Sequence, residues 1–335
     1  MWYNISMQCV VEKPEPKTLA RAKQLIAAGE LVAFPTETVY GLGASALSER
    51  AIEKIYEVKG RPQDNPLIVH TWTPEKLPEI GVLTPLAEKL AKAFMPGPIT
   101  LVVKRLPAIC ARVSAGLDTV AVRVPGHPVA QSFLRAVEVP IAAPSANSST
   151  RPSPTCAAHV LHDLGEKIPL IVDGGSCEVG IESTVVDATG EFPRILRPGI
   201  VTREMISNIA PVREGTVSAT APRSPGMKYK HYAPACEVKL FRHGDLARMQ
   251  RAYDDRIADR PVFLCSAGSA EKLRGDSLVL GRDERETAHA LYSALLDAER
   301  KFGLILLEAC PETELGRSVN NRMFKTGGSR YEEEV

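Results

Sequence analysis

What this chain has little of narrows its possible roles. No run of 18 apolar residues occurs, so no helix-length segment suits a bilayer. The opening stretch MWYNISMQCVVEKPEP has no basic region followed by an apolar one, which argues against a secretory signal. The seven cysteines are odd in number and never form a CxxC pair. Free thiols in the cytoplasm are therefore expected, with neither a disulfide framework nor a zinc site. At 5% aromatic residues the chain has few platforms for stacking the bases of a single strand. Net charge is also nearly absent, at +1. It is evenly spread, with 21 basic and 21 acidic residues up to position 210 and 20 and 19 beyond. A protein that grips a polyanion across a whole face is more basic than this. No Walker loop occurs; KTGGSR near the end does not fit one.

What remains is a chain of 335 residues, 44% hydrophobic, long enough for two α/β domains that handle small anionic ligands. The most informative stretch is KGRPQDNPLIVH, Lys59 to His70. Before it, Ala51, Ile52, Ile55 and Val58 recur at helical spacing, and Gly60 supplies the stop. Pro62 keeps the helix from resuming, Asn65-Pro66 marks a second bend, and LIVH reads as a strand. Lys59, Arg61, Asn65 and His70 thus sit on one short, stiff excursion. Arg and Lys donate charge-assisted hydrogen bonds to phosphate oxygens, although a lysine before a terminal glycine is also an ordinary helix ending.

Elsewhere LVAF is a buried strand that empties into a loop rich in hydroxyls, with Thr36, Thr38 and Tyr40. GLGASA fits a dinucleotide fingerprint, but no helix opens on its glycines. TVAVRVP alternates, placing Val120, Val122 and Val124 on a core face and Thr119, Ala121 and Arg123 on the other. The strand VPIAA leads into PSAN, with Ser145 and Asn147, then into Ser153-Pro154, which reads as a helix N-cap with proline in the first turn. Residues 215–236 carry Arg223, Lys228, Lys230 and His231 among prolines and no acid, which suits a semi-rigid linker. From Glu237 strands and helices alternate again, a small parallel layer, ending in a polar tail expected to fray.

Seven motifs stand in order: PTETVYGLG (35–43), KGRPQDNPLIVH (59–70), DTVAVRVP (118–125), APSANSS (143–149), ESTVVD (182–187), RPG (197–199) and SPGMKYKHYAP (224–234). With them the chain resembles the long form of the threonylcarbamoyl-AMP synthase family. The resemblance implies a YrdC-like catalytic domain over 1–212, a twisted open mixed sheet with flanking helices. A linker or lid over 213–236 and a smaller Rossmann-like α/β domain over 237–335 follow. It implies a nucleotidyltransferase that converts L-threonine, bicarbonate and ATP, with Mg2+, into threonylcarbamoyl-AMP and pyrophosphate. The product passes to the tRNA threonylcarbamoyl-transferring machinery for the adenosine next to the anticodon, with at most weak tRNA binding by the chain itself. Carried over residue by residue, the threonine site falls on Thr38, His70, Arg123, Ala143 and Ser183. The nucleotide site falls on Lys59, Arg61, Asn65, Thr119, Ser145, Asn147, Ser153 and Arg197, with His231 and Tyr232 closing from the linker. Lys59 and Arg61 take the catalytic role of neutralising phosphate charge. No acidic cluster names the metal ligands. Two alternatives stand beside this reading: a non-catalytic binder of double-helical RNA or tRNA, and a carbamoyl-adenylate-forming relative.

Overall fold

Short runs rich in valine, isoleucine and leucine, separated by helical segments, build the first half of the chain into one mixed sheet. In this computed structural model residues 9–213, 232–327 and 330–332 are described. They fall into two units. The first holds the described residues up to Ser149, Pro154–Glu178 and those from Glu182 to Arg213. The second holds Thr150–Ser153, Val179–Ile181 and the described residues from Tyr232 onward.

The strands of the first unit are β1 (Val10–Glu12), β2 (Val32–Phe34), β3 (Gly41–Ser45), β4 (Ile68–His70), β5 (Gly81–Val82), β6 (Ile99–Arg105), β7 (Thr119–Arg123), β8 (Ile141–Ala142), β9 (Leu170–Val172), β10 (Thr184–Asp187) and β11 (Arg194–Arg197). They pair in the order β1-β9-β2-β3-β8-β4-β7-β6-β10-β11, with β5 on β6. Its helices are α1 (Pro16–Ala27), α2 (Glu49–Lys59), α3 (Pro85–Phe94), α4 (Pro128–Val137), α5 (Ala157–Leu164) and α6 (Arg203–Ser207). The GLGASA glycines belong to the antiparallel strand β3, not to a phosphate loop. A Cβ on Gly43 would lie 3.0 Å from both Phe34 and Ile141, so sheet packing accounts for that glycine.

Side-chain parity along each strand separates two faces. One face sends Ala33, Leu42, Val69, Leu101, Val120 and Val122 into the main core against Ile52 and Ile55 of α2, Leu90 of α3 and Val160 of α5. The valines of TVAVRVP therefore do face the core. On the other face Val32, Phe34, Ile141 and Leu170 are covered by Ala22 and Ile26 of α1 and by Phe133 and Leu134 of α4. His70 pairs with Ile141, so this same face continues onto β4. There it carries a small apolar floor of Ile68, Val102, Ala121 and Val185, with no helix residue in the cluster.

The second unit has β12 (Glu237–Phe241), β13 (Pro261–Ser266), β14 (Ser277–Gly281) and β15 (Leu304–Glu308), all parallel, in the order β12-β15-β13-β14. Helices α7 (Leu246–Asp255), α8 (Ala267–Ala270), α9 (Glu284–Ala298) and α10 (Glu314–Thr326) connect and flank them, giving the Rossmann-like layer expected. At the carboxyl ends of the strands lies a crevice of about 310 Å³ lined by His243, Ser266, Asp283, Thr287, Glu308 and Cys310.

Two expectations need correction. The polar tail is helical as far as Thr326: it forms α10, capped by the Thr313 hydroxyl, and buries Val319, Met323 and the whole Arg322 side chain. Arg322 Nη1 donates to the Ser318 carbonyl at 3.1 Å, a local bond that makes such burial tolerable. Ser153 does not cap α5, which begins at Ala157 with Cys156 at the cap position. The His159 ring instead turns back, accepting the Thr155 amide at 3.3 Å, so the helix is fixed from within.

Candidate active site

Register across the strands lines up the polar residues of the half-face that carries the floor of Ile68, Val102, Ala121 and Val185. His70 lies opposite Arg123 on the parallel pair β4–β7. The β6–β7 ladder, carried one step past Leu101↔Val122, sets Thr100 opposite Arg123. Thr100 pairs with Val185, and Val185 with Arg197. At about 4.8 Å between neighbours, His70 to Arg197 spans roughly 19 Å across five strands.

At one end of this row the loop after β2 folds onto Arg123. Thr36 donates its hydroxyl proton to the Val39 carbonyl at 2.7 Å and accepts the amides of Thr38 and Val39. With that proton committed, Thr36 accepts from the Thr38 hydroxyl at 2.8 Å. Thr38 then presents a lone pair to Arg123 Nη1 at 2.9 Å. Arg123 Nη2 lies 2.8 Å from Glu37 Oε1, both side chains being buried. That contact is a charge pair without hydrogen-bond alignment: Arg123 Nε and Nη2 and both Glu37 oxygens lack an aligned partner. Burial pushes the Glu37 carboxyl up, but the Arg123 charge and its close donor contact, helped by the amides of Gly126 and Glu37 itself, outweigh this and hold it below the usual range.

His70 is buried, its Nδ1 paired with the Ile68 carbonyl at 3.1 Å and its ring edge-on to Phe34. Burial, then the Arg123 charge, drives its imidazole down to about 3. The ring is therefore neutral, with the proton on Nδ1 and an acceptor lone pair on Nε2. Ala143 continues from β8, donating its amide to the Ile68 carbonyl at 2.9 Å. Ser183 bonds the Thr100 hydroxyl at 2.7 Å. Its carbonyl accepts both Nε and Nη2 of Arg197, at 3.1 and 2.9 Å. Arg197 therefore braces Ser183 rather than standing apart from it.

The cationic turn is a second group. α2 ends at Gly60, whose φ of 60° is the left-handed conformation a glycine adopts without strain. Lys59 at that end is buried, and its ammonium donates to the Ser145 carbonyl at 2.6 Å and to the Asn147 carbonyl. Burial, then the Arg61 charge, lowers its pKa well below the ordinary value. Arg61 Nε and Nη2 hold the carbonyls of Asn65 and Pro66 at 3.1 and 2.9 Å. The Asn65 Oδ1, also buried, has no partner. Ser145 bridges Gly41, and Ser148 is tied to Asp163 of α5 through its amide and hydroxyl at 2.7 and 2.6 Å. Thr119 opens β7, four residues and roughly 13 Å from Arg123.

Two further expected residues belong to the second unit, and a third is not described. Ser153 is buried within the Thr150–Ser153 segment of the second unit. Tyr232 is buried with its ring 5.1 Å from that of Tyr292 on α9. His231 lies outside the described residues, as does the rest of the expected lid before it from position 214. Sequence reasoning missed Glu37 and Thr100. Glu37 carried a signal, an acid inside an otherwise neutral hydroxyl loop; Thr100, within a valine-rich strand, carried none.

The chain resembles known proteins along nearly its whole length. Residues 24–199 match the family described as Telomere recombination, and residues 201–328 match the C-terminal domain of threonylcarbamoyl-AMP synthase. The chain is 42% identical over 334 residues to threonylcarbamoyl-AMP synthase of Pyrococcus abyssi, covering 96% of this chain and 97% of that protein. It is 41% identical over 324 residues to threonylcarbamoyl-AMP synthase of Bacillus subtilis, covering 93% of each. A crystal structure of P. abyssi Sua5 complexed with L-threonine superposes with a TM-score of 0.88 at 40% identity, over 97% of this chain and 98% of that one.

Proposed function

The chain belongs to the threonylcarbamoyl-AMP synthase family, and on that premise we propose that it joins L-threonine, bicarbonate and ATP into threonylcarbamoyl-AMP, releasing pyrophosphate. The threonine ammonium gives one proton to bicarbonate, which loses water to leave CO2. The free amine adds to CO2, releasing a second proton to solvent, and an oxygen of the resulting carbamate displaces pyrophosphate from the α-phosphorus of ATP. No covalent bond to the protein is required, so the residues act by position and charge.

The observation that carries the reading is Arg123, a buried guanidinium with unused donors beside neutral His70. Arg123 takes the amino-acid carboxylate through Nε and Nη2. Thr38 orients the guanidinium, and the Nε2 lone pair of His70 serves a hydroxyl donor such as the threonine side chain. Ser183, braced by Thr100 and Arg197, closes that end. Arg61 supplies charge to the phosphates. Lys59 fixes the Ser145–Asn147 loop with two of its three donors and offers the third. The unpartnered Asn65 Oδ1 suits an N–H of the base, and the Ile68, Val102, Ala121 and Val185 floor suits its apolar face.

Among the described residues no three or more His, Cys, Asp or Glu side chains converge as a metal cage. Magnesium accordingly comes with ATP, held by phosphate oxygens and water, and no step is assigned to it. The product serves tRNA threonylcarbamoylation next to the anticodon in the cytoplasm. Among the described residues no helix is long and apolar enough to cross a membrane. Pyrophosphate release tests the proposal: it requires L-threonine, bicarbonate and ATP together. Equal release without threonine overturns it.

A further inference from the structure

Buried polar atoms in folded proteins almost always have hydrogen-bond partners, so a cluster that lacks them calls for one. Glu37 and Arg123 supply such a cluster: two carboxylate oxygens and two guanidinium nitrogens, all buried and none in an aligned bond. The Thr38 hydroxyl cannot serve Glu37, because its proton goes to Thr36. Water meets these hydrogen bonds but neither charge; a ligand that also matches the charges brings an anion to Arg123 and cationic hydrogen-bond donors to Glu37 within a span of a few ångströms. A phosphate brings only the first and is repelled by Glu37. A cation brings only the second. A zwitterionic α-amino acid, whose carboxylate and ammonium flank one carbon, brings both.

We propose that Glu37 binds the ammonium group of the substrate amino acid, so that Glu37 and Arg123 together form a receptor for its zwitterion. This rests on the amino-acid reading of the site given above. It assigns Glu37 a defined stage. A carbamate at the same nitrogen carries negative charge in place of ammonium protons, and attraction to Glu37 then turns to repulsion. Glu37 therefore holds the free amino acid and favours departure of the carbamoylated nitrogen toward the nucleotide. The 2.8 Å contact with Arg123 keeps the carboxylate charged while it waits.

The test is calorimetric titration of the full chain with L-threonine and with (3R)-3-hydroxybutanoate, which has the same carbon skeleton without the amine. ATP is present and the buffer is free of CO2, so no turnover occurs. The unaltered protein binds L-threonine at least about 100-fold more tightly than hydroxybutanoate, as expected for a charged hydrogen-bond donor with a buried acceptor. Glu37→Gln weakens L-threonine at least about 30-fold and leaves hydroxybutanoate within about threefold, while Glu37→Asp retains most of the discrimination. Equal weakening of both ligands in Glu37→Gln overturns the inference, since a residue that merely orients Arg123 acts on the carboxylate common to both. Equal affinity of the unaltered protein for both ligands overturns it without any substitution. If the unaltered protein binds neither, the functional reading falls with it; if it binds L-threonine but shows either equality, only the role of Glu37 falls.

Discussion

Two buried carboxylates, one in each unit, are held in opposite ways. Glu308 ends β15 of the second unit, 3% exposed. Its Oε1 accepts the Gly244 amide at 3.1 Å and the Ser269 hydroxyl at 2.8 Å, and its Oε2 accepts the Ser266 amide at 3.0 Å. It ties the loops after β12 and β13 together at the floor of the crevice. Glu37 of the first unit is 7% exposed and has a cation at hand, yet neither oxygen is aligned to any donor. The same side chain, equally withdrawn from water, completes the fold in one place and stands incomplete in the other. A crevice at the ends of parallel strands is the ordinary place for a ligand, but the saturated Glu308 gives no sign of waiting for one. The unsatisfied pair does.

The contrast is broken or sharpened by substitution. Replacing both members of the site pair, Glu37→Gln with Arg123→Met, removes a buried charge pair that contributes little net stability. Pyrophosphate release then falls about a thousandfold, while the melting temperature is unchanged or raised. A drop of the melting transition with activity preserved would make Glu37 the counterpart of Glu308. Glu308→Ala should do the reverse. It leaves the Gly244 and Ser266 amides and the buried Ser269 hydroxyl without their acceptor and destabilises the second unit by about 2 kcal/mol, read as a lowered calorimetric transition.

Smaller effects lie along the remainder of the row. Arg61→Ala is expected to slow pyrophosphate release by roughly 10²-fold with an unchanged circular dichroism spectrum, because its bonds to the Asn65 and Pro66 carbonyls shape a turn outside the helices and strands. A misfolded variant whose folded fraction is fully active would reduce Arg61 to a helix-ending residue. His70 supplies the pH test. Its folded pKa, about 3, lies below the unfolded value of 6.5. Its contribution is complete above pH 6.5 and is lost as pH falls toward 3, at about 1.4 kcal/mol per unit. Denaturant midpoints of the unaltered protein should therefore fall more steeply over that window than those of His70→Asn. Parallel slopes would mean the ring titrates normally.

The sheet and its site could be read from the sequence where the signal was local. Gly60 ends α2 because a left-handed residue follows a run of helical apolar spacing. Arg123 faces away from the core because alternating valines settle strand parity. What stayed hidden depends on distant partners. Thr38, 85 positions from Arg123, shares a site with it in the family resemblance, but no local signal shows that it directs that guanidinium. That Glu37 has Arg123 as its charge partner but no hydroxyl donor is set by hydroxyl protons committed elsewhere, which no spacing records. Ser153 had every local mark of a cap and was overruled by His159 reaching back to Thr155. The polar face of α10 likewise concealed a buried arginine whose acceptor, Ser318, lies on its own helix.

The placement of Thr150–Ser153 with the second unit has a consequence in time. Arg151 forms an ion pair with Glu299, 148 residues later in the chain. At 5–20 residues per second on the ribosome, roughly 7–30 s separate the emergence of the two. For that interval the segment carrying Ser153 exists without a partner that the finished protein gives it.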